Sequence, residues 1–261
     1  MKVLITNDDG VHSQGIIQLA MVARKHCSDV FVVSPSVEQS GVSSAITFLR
    51  PLFPKALGGL DDSQDAGIPG FSLNGTPVDC VRLGLHELCP FRPDVILSGI
   101  NDGLNAGPNV NFSGTVGGAM AGAAFGIPSI AISLESSSLM DFGKAAELAW
   151  PIVEQCASIS VPTGSFFNLN FPTAGCRSDA EIRVVPVETN PMGYDFDHGH
   201  DPKNRRYFWA TNNPGPQPSP FLTDTQALLE GHITISTLSS NLNCVDARSS
   251  LQHAFDSTVE S

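Results

Sequence analysis

Short runs of consecutive apolar residues alternate along the first two-thirds of the chain with longer segments in which apolar residues recur every three or four positions. The runs predict buried β-strands, and the periodic segments predict amphipathic helices. The first set comprises a strand at residues 3–6, a helix at 15–25 and a strand at 30–33. These three form a βαβ unit with a right-handed crossover. Because the strands are apolar throughout rather than alternating, they indicate a parallel sheet covered on both faces.

The same alternation continues to about residue 171. Further strands are predicted at residues 95–97, 129–132 and 166–171, and further helices at 79–88, 115–125 and 143–157. This order of elements predicts an α/β fold with a doubly wound, mostly parallel sheet of the Rossmann-like type. We expect its core to cover about residues 1–180.

The pattern of apolar and polar residues changes after this core. A strand at residues 182–187, a short helix at 224–229 and a strand at 232–236 are predicted. Residues 190–220 are polar, rich in Pro, Gly, Asn and aromatic residues and without a helical period, so we expect an extended hairpin or arm there. The tail after Leu251 is predicted to fray. We interpret residues 1–261 as a single domain, with the C-terminal arm and its return segment at about 181–250.

The net charge of the chain limits the kinds of molecule that it can bind. The chain has 261 residues, of which 26 are acidic and 14 basic, so its formal net charge is −12. A chain this acidic is a poor binder of nucleic-acid polymers and of anionic membranes, and we expect neither as a partner. A phosphate-bearing ligand would have to be small, and a local positive element such as a metal ion or a helix N-terminus would have to meet it.

Three features of the sequence indicate the cellular compartment. Residues 103–134 carry no charge, but their glycines, Asn and Ser residues and two prolines favour a buried loop, helix and strand over a membrane span. The N-terminus becomes acidic after a short apolar run, unlike a signal peptide. The six cysteines form no Cys-x-x-Cys pair. We therefore expect reduced thiols and a cytoplasmic location.

Candidate chemistry lies in the loops after the strands, where doubly wound sheets bind ligands. The first loop is Asn7-Asp8-Asp9-Gly10. Its two carboxylates converge only if the chain turns at once, and converging carboxylates favour a cation between them. Hard oxygen ligands of this kind suit Mg²⁺, Mn²⁺ or Ca²⁺. Taken alone, the loop is also consistent with a solvated acidic turn.

Two further loops add polar groups at the same edge. Residues 38–44 are rich in hydroxyl groups and offer a neutral oxygen ligand or phosphate donors, although an ordinary connection has the same composition. Ser113-Gly114-Thr115 opens the helix predicted at 115–125. Backbone N–H groups and hydroxyls at a helix start form an anion site, or a plain N-cap. A cation site beside a phosphate site is the combination that phosphoester hydrolysis requires.

These blocks, in this order, resemble the SurE survival-protein phosphatases, which are 5'-nucleotidases. The matching motifs are Asn7-Asp8-Asp9-Gly10, Ser40-Gly41, Gly75-Thr76-Pro77-Val78-Asp79-Cys80, Ser98-Gly99-Ile100-Asn101 and Ser113-Gly114-Thr115-Val116. Weaker matches follow at Asn168-Leu169-Asn170-Phe171-Pro172 and Gly231-His232-Ile233-Thr234-Ile235. The likeness therefore extends over about residues 1–135 and, less closely, beyond them.

The resemblance implies a SurE-like fold and a site with one divalent metal ion, Mg²⁺ or Mn²⁺, per subunit. The metal ligands carried over from the family are Asp8, Asp9, Ser40 and Asn101, and the first two are also the catalytic residues. The phosphate site carried over from the family is Ser113, Gly114 and Thr115. The implied reaction is hydrolysis of nucleoside 5'-monophosphates, with 3'-monophosphates as further candidates, by a metal-activated water. The implied assembly is a homodimer or homotetramer with exchanged C-terminal arms.

Two residues depart from the family pattern. Phe112 stands where the family usually has Tyr, and Ala121 stands where it usually has Glu. They put substrate preference in question more than the reaction. The alternatives are a phosphatase for other phosphomonoesters or short-chain polyphosphate, and a nucleotide- or metal-binding module without catalysis. Base preference, 5' versus 3' selectivity, the physiological metal and the general base stay open at this point.

Overall fold

The computed structural model describes residues 1–60, 67–176, 180–193, 195–211, 213, 215–216 and 219–259. The strands are β1 (Lys2–Thr6), β2 (Asp29–Pro35), β3 (Pro54–Ala56), β4 (Gly70–Leu73), β5 (Val95–Asp102), β6 (Ser129–Leu134), β7 (Ser165–Phe171), β8 (Ile182–Val184), β9 (Phe196–His200), β10 (Arg206–Ala210) and β11 (Ile233–Ser239). The helices are α1 (Gln14–His26), α2 (Pro77–Leu83), α3 (Gly114–Ala124), α4 (Phe142–Ser158), α5 (Asp224–Leu229) and α6 (Val245–Val259).

The main sheet has the strand order β3-β4-β2-β1-β5-β6-β7-β11-β8. The strands from β4 to β7 are parallel to one another, whereas β3 and β11 pair antiparallel with β4 and β7. Helices lie on both sides of it, α1 packing against α4 and α2 against α3. The α/β, doubly wound and mostly parallel fold predicted from the sequence is confirmed.

The side chains of β1 show how both faces become buried. Val3 and Ile5 belong to the core formed with α1 and α4, whereas Leu4 belongs to the core on the α2 side. All three are fully buried. Successive side chains of a strand point to opposite faces, so a strand between two helical layers must be apolar at every position.

The predicted helices agree with the observed ones to within about two residues at most ends, but three features differ. The helix predicted at 79–88 is α-helical to Leu83 and continues as a π-turn over Gly84–Leu88. The strands β3 and β4 were not predicted, because they are only three and four residues long. The tail after Leu251, which the sequence predicts to fray, lies in helix α6, which extends to Val259.

Two of the C-terminal strands join the sheet. β11 pairs with both β7 and β8, so these strands extend the core rather than forming a separate unit. Between β8 and α5, strands β9 and β10 form an antiparallel hairpin whose side chains are largely exposed. The division into core and arm at about residue 181 stays a prediction. Among the described residues, no helix is long and apolar enough to cross a membrane.

Candidate active site

A buried asparagine shapes the turn that follows β1. The side-chain nitrogen of Asn7 donates to the carbonyl of Gly10 at 2.9 Å and to the hydroxyl of Ser13 at 2.8 Å. The hydroxyl of Ser34 on β2 donates to the side-chain oxygen of Asn7. Gly10 has φ +93°, a conformation that favours glycine. The chain therefore turns at once, as the sequence predicted, and both aspartates leave the strand at the edge of the sheet.

Asp8 lies against the start of α3. It is 4% exposed, and the hydroxyl of Thr115 donates to its Oδ1. The backbone N–H of Thr115 also bonds to this carboxylate. A Cβ at Gly114 would lie 2.9 Å from Asp8 Oδ2, so only glycine lets the helix approach this closely. Burial raises the pKa of Asp8, although the Thr115 bonds oppose that shift.

Asp9 faces the loop after β5. Its Oδ2 accepts a hydrogen bond from the backbone N–H of Asp102 at 3.1 Å. Burial, followed by the neighbouring Asp8 carboxylate, raises the pKa of Asp9 to about 7. Among the described residues, no Lys or Arg pairs with either aspartate. Two partly desolvated carboxylates without a basic partner form a site that a cation would stabilise.

Asn101 reaches the site through an irregularity in β5. The pairing of β5 with β6 shifts register between Ser98 and Asn101. Gly99 lies inside this shift with φ +142°, and a Cβ there would be 2.2 Å from the carbonyl oxygen of Ile132. Such a bulge redirects the residues that follow it. Asn101 Nδ2 donates to the carbonyl of Gly103 at 2.7 Å, which leaves its Oδ1 without a hydrogen bond among the described residues.

Ser40 lies on the exposed rim of the site. Its hydroxyl donates to Glu38 Oε1 at 2.7 Å. The backbone N–H of Gln39 donates to the carbonyl of Asp8 at 2.7 Å and fixes this loop beside the acidic turn. The side chain is thus near the aspartates, with its hydroxyl turned to another carboxylate.

The start of α3 uses its hydroxyl groups for structure. The side chain of Ser113 accepts a hydrogen bond from the backbone N–H of Val116 at 3.1 Å, as an N-cap does. The hydroxyl of Thr115 is fully buried and bonded to Asp8. Ser113 alone of the three predicted phosphate residues lines the cavity described next. The assignment of Ser113, Gly114 and Thr115 to phosphate stays a prediction.

One cavity of about 690 Å³ opens at this edge of the sheet. It brings together four predicted site residues, Asp8, Ser40, Asn101 and Ser113. Its lining also includes Asp102 and Glu135, but no Lys, Arg or His among the described residues. Nor does any group of three or more His, Cys, Asp or Glu side chains in the described ranges form a metal site. A bound phosphate would therefore meet carboxylates and, among the described residues, no basic side chain, so a positive element such as a metal ion or the N-terminus of α3 would have to offset its charge.

The two departures from the family pattern lie in different places. Phe112 lines the cavity and is 55% exposed. Ala121 is buried with Leu4 and Val78 on the α2 side of the sheet. Only Phe112 is therefore placed to contact a ligand.

Sequence reasoning missed a network of buried asparagines behind the cavity. The side-chain nitrogens of Asn168 and Asn170 on β7 both donate to the carbonyl of Asn105, at 2.8 and 3.1 Å. The backbone N–H of Asn105 donates to Asn170 Oδ1 at 2.9 Å. The sequence did contain a signal for this network, because Asn168 and Asn170 are two positions apart and therefore share one face of the strand.

The fold and the site define a Rossmann-like α/β protein whose acidic ligand cavity lies at the carboxyl edge of its parallel strands. The model of the family described as Survival protein SurE matches residues 3–193. The chain is 41% identical to 5'-nucleotidase SurE of Rhodopirellula baltica over 97% of this chain and 98% of that protein. It is 37% identical to 5'-nucleotidase SurE 1 of Thermus thermophilus over 93% of each.

A solved structure gives the same relationship in three dimensions. The crystal structure of the SurE protein from Aquifex aeolicus is similar with a TM-score of 0.80 and 30% identity, over 97% of this chain and 99% of that one. The chain belongs to the SurE family.

Proposed function

We propose that this protein is a 5'-nucleotidase, a divalent-metal-dependent phosphomonoesterase that hydrolyses nucleoside 5'-monophosphates to nucleoside and phosphate. Two relatives that align along nearly their whole length carry the name 5'-nucleotidase SurE, which supports the class of activity. The observation that carries the proposal is the cavity that joins Asp8, Asn101 and Ser113 without any basic side chain among the described residues. Such a cavity suits a phosphate ester when a metal ion, together with the start of α3, offsets the negative charge.

The donors around the acidic turn fit Mg²⁺ or Mn²⁺. Carboxylate, hydroxyl and amide oxygens are the ligands these hard cations prefer. Asp8 and Asp9 would supply the two carboxylates, and Ser40 and Asn101 the neutral oxygens. When bound, the cation would lower the pKa of a water molecule and offset charge that develops on the phosphoryl group.

The chain itself contributes position and electrostatics. Thr115 holds one oxygen of Asp8, so the carboxylate keeps a single orientation at the sheet edge. The first turn of α3 would stabilise the phosphoryl oxygens mainly through its dipole, since the backbone N–H groups of Thr115 and Val116 already bond to Asp8 and Ser113. Ser113 places that turn at the wall of the cavity. A water molecule would attack the phosphorus in line and displace the nucleoside oxygen, because attack by Asp8 or Asp9 would compete with their role as metal ligands.

Assembly and location complete the proposal. We place the protein in the cytoplasm as a homodimer or homotetramer, on the strength of the family resemblance. The aromatic side chains of the β9–β10 hairpin support assembly, because Phe196, Phe208 and Trp209 are each more than half exposed. Exposed apolar patches of this kind are typical of protein–protein contacts.

The first test is phosphate release by wild type and Asp8→Asn. We expect wild type to release phosphate from nucleoside monophosphates with Mn²⁺ or Mg²⁺ and to lose activity in EDTA. Asp8→Asn should lower turnover by about a hundredfold or more, because it removes a carboxylate from the metal site. Asp102→Asn is a matched control that removes the same charge from the same cavity, and it should cost less than about threefold.

The substrate panel separates the alternatives. Sugar phosphates, p-nitrophenyl phosphate and short-chain polyphosphate are assayed beside the nucleotides. Release from polyphosphate or sugar phosphates alone would identify a different phosphatase. Nucleotide binding without release would identify a binding module. Near-normal turnover by Asp8→Asn would refute the assignment of this carboxylate.

A further inference from the structure

Glu135 is a cavity carboxylate that the proposed mechanism does not use. It follows the last residue of β6 and lines the same cavity as Asp8 and Asn101. Its backbone N–H donates to the carbonyl of Phe171 at 2.8 Å, and its Oε2 accepts from the backbone N–H of Thr173 at 2.7 Å. Its Oε1 has no hydrogen-bond partner in the part of the chain that the structure describes. Glu135 is thus a half-buried, oriented carboxylate with one acceptor oxygen left over.

We propose that Glu135 binds the 2'- and 3'-hydroxyl groups of the ribose, and so makes the site selective for ribonucleotides. The inference rests on the proposed function, because it assumes that the phosphate lies beside Asp8 and Asn101. Glu135 would thus recognise the sugar, a role that neither the metal ligands nor the phosphate site can fill.

The chemistry of a carboxylate limits what it can bind here. An ionised carboxylate accepts hydrogen bonds and donates none. It repels a phosphate, so it must face an uncharged part of the ligand that carries donors. The paired hydroxyls of a ribose are such donors, and hydrogen bonds to an ionised acceptor are stronger than those between neutral groups.

The strand order places Glu135 at the right distance. Along the carboxyl edge, Asp8 follows β1, Asn101 is the penultimate residue of β5, Glu135 follows β6 and Pro172 follows β7. Neighbouring strands are about 4.8 Å apart, so the end of β6 lies about 10 Å from that of β1. A nucleoside 5'-monophosphate has the same order of phosphate, ribose and base. With its phosphate at β1 and β5, its ribose reaches β6.

The cavity beyond Glu135 suits a base. Its lining there includes Pro172 and Ala174 after β7 and Leu228 and Leu229 at the end of α5. These meet because β11 pairs antiparallel with β7, so the chain enters β11 beside the end of β7. Apolar walls with a few polar groups are typical of small-molecule sites, and about 690 Å³ leaves room beside a phosphate for a nucleoside.

The first experiment needs neither metal nor turnover. Binding of adenosine and of 2'-deoxyadenosine is measured by ligand-observed NMR in EDTA, with wild type, Glu135→Ala and Glu135→Gln. We expect wild type to bind adenosine about tenfold more tightly, and Glu135→Ala to bind both nucleosides equally. Glu135→Gln, which keeps an acceptor oxygen but no charge, should fall between them. Equal binding of both nucleosides by wild type, or no binding of adenosine, would overturn the proposal.

The second experiment uses hydrolysis with Mn²⁺. For Glu135→Ala we expect kcat/KM to fall about tenfold for AMP, less for 2'-deoxy-AMP, and less than twofold for p-nitrophenyl phosphate, which has no sugar. Glu87→Ala removes an exposed carboxylate between α2 and β5, at the opposite edge of the sheet, and should change none of the three. Equal losses on all three substrates would show a structural role, and equal losses on the two nucleotides alone would assign Glu135 to the base. Both results contradict the proposal.

Negative results in the two experiments refute different claims. If wild type releases phosphate from none of the three compounds, the proposed function is refuted, while nucleoside binding still decides the role of Glu135. If wild type is an active nucleotidase that does not distinguish AMP from 2'-deoxy-AMP, the function stands and the role of Glu135 is refuted.

Discussion

Thr115 connects the two halves of the site, because its hydroxyl bonds to Asp8 while its backbone belongs to the first turn of α3. The resemblance of the sequence to the SurE family predicted that Thr115 binds phosphate. In the structure its hydroxyl is fully buried and bonded to a carboxylate. A hydroxyl at a helix start can serve a ligand, the helix or a neighbour, and composition alone does not distinguish these uses.

Thr115→Val tests this connection at the scale of one atom. The substitution keeps the shape of the side chain and removes the donor to a buried carboxylate oxygen. We expect Mn²⁺ affinity and turnover each to fall about tenfold, and the free energy of unfolding to fall by about 1–3 kcal/mol. Calorimetric Mn²⁺ titration, phosphate release and urea unfolding measure the three effects. Thr115→Ser retains the hydroxyl and should behave as wild type, and an unchanged Thr115→Val variant would contradict the connection.

Strand β7 acts on the site as an element, although it supplies none of the predicted ligands. Its two asparagines hold the backbone of Asn105, whose side-chain nitrogen also donates to the hydroxyl of Ser133 on β6 at 2.8 Å. The loop that follows Asn101 is thereby tied to two neighbouring strands. The period-two pattern of residues 166–171 predicted this strand, but not what its polar face would bind.

Asn170→Leu tests whether this tie supports the metal site. The change leaves both the N–H and the carbonyl of Asn105 with fewer partners in a buried position. We expect the free energy of unfolding to fall by about 1–3 kcal/mol, and the Mn²⁺ concentration for half-maximal activity to rise. Urea unfolding and a Mn²⁺ titration of activity measure both. The same substitution at exposed Asn190 is the control, and a loss of stability without a change in the Mn²⁺ requirement would limit the network to a structural role.

At the scale of the whole molecule, the β9–β10 hairpin presents large aromatic side chains to solvent. Trp209 is 73% exposed and Phe208 is 58% exposed. Large aromatic side chains bury considerable area when covered, so a second copy of the chain would gain stability by packing on them. The extended arm predicted for residues 190–220 contains the hairpin.

The corresponding prediction concerns mass in solution. We expect wild type to have the mass of a dimer or tetramer by size-exclusion chromatography with light scattering. Phe208→Ser combined with Trp209→Ser should shift it toward the monomer. Leu49→Ser changes an even more exposed apolar residue outside the hairpin and should leave the mass unchanged. A monomeric wild type would contradict the proposed assembly.

The sequence by itself determined the elements whose apolar residues recur with a regular period, and with them the doubly wound fold class. An apolar run such as Val3–Ile5 marks a strand between two layers, because side-chain direction follows the backbone period. It also located the turn at Asp8 and Asp9, because Asn7 and Gly10 act within a few residues of each other. Motif likeness supplied the remaining predicted ligands, Ser40 and Asn101.

Only the tertiary structure decided which polar groups share a cavity. Glu135 and Asn170 lie 127 or more positions from Asp8 along the chain, and no local pattern connects them. Glu135 lines the cavity with Asp8, and Asn170 lies behind it, because β1, β5, β6 and β7 are neighbours in the sheet and strand order results from pairing between distant segments. The short β3 and β4 were missed for a related reason, since a few residues show no period and such strands form by pairing with neighbours already in place.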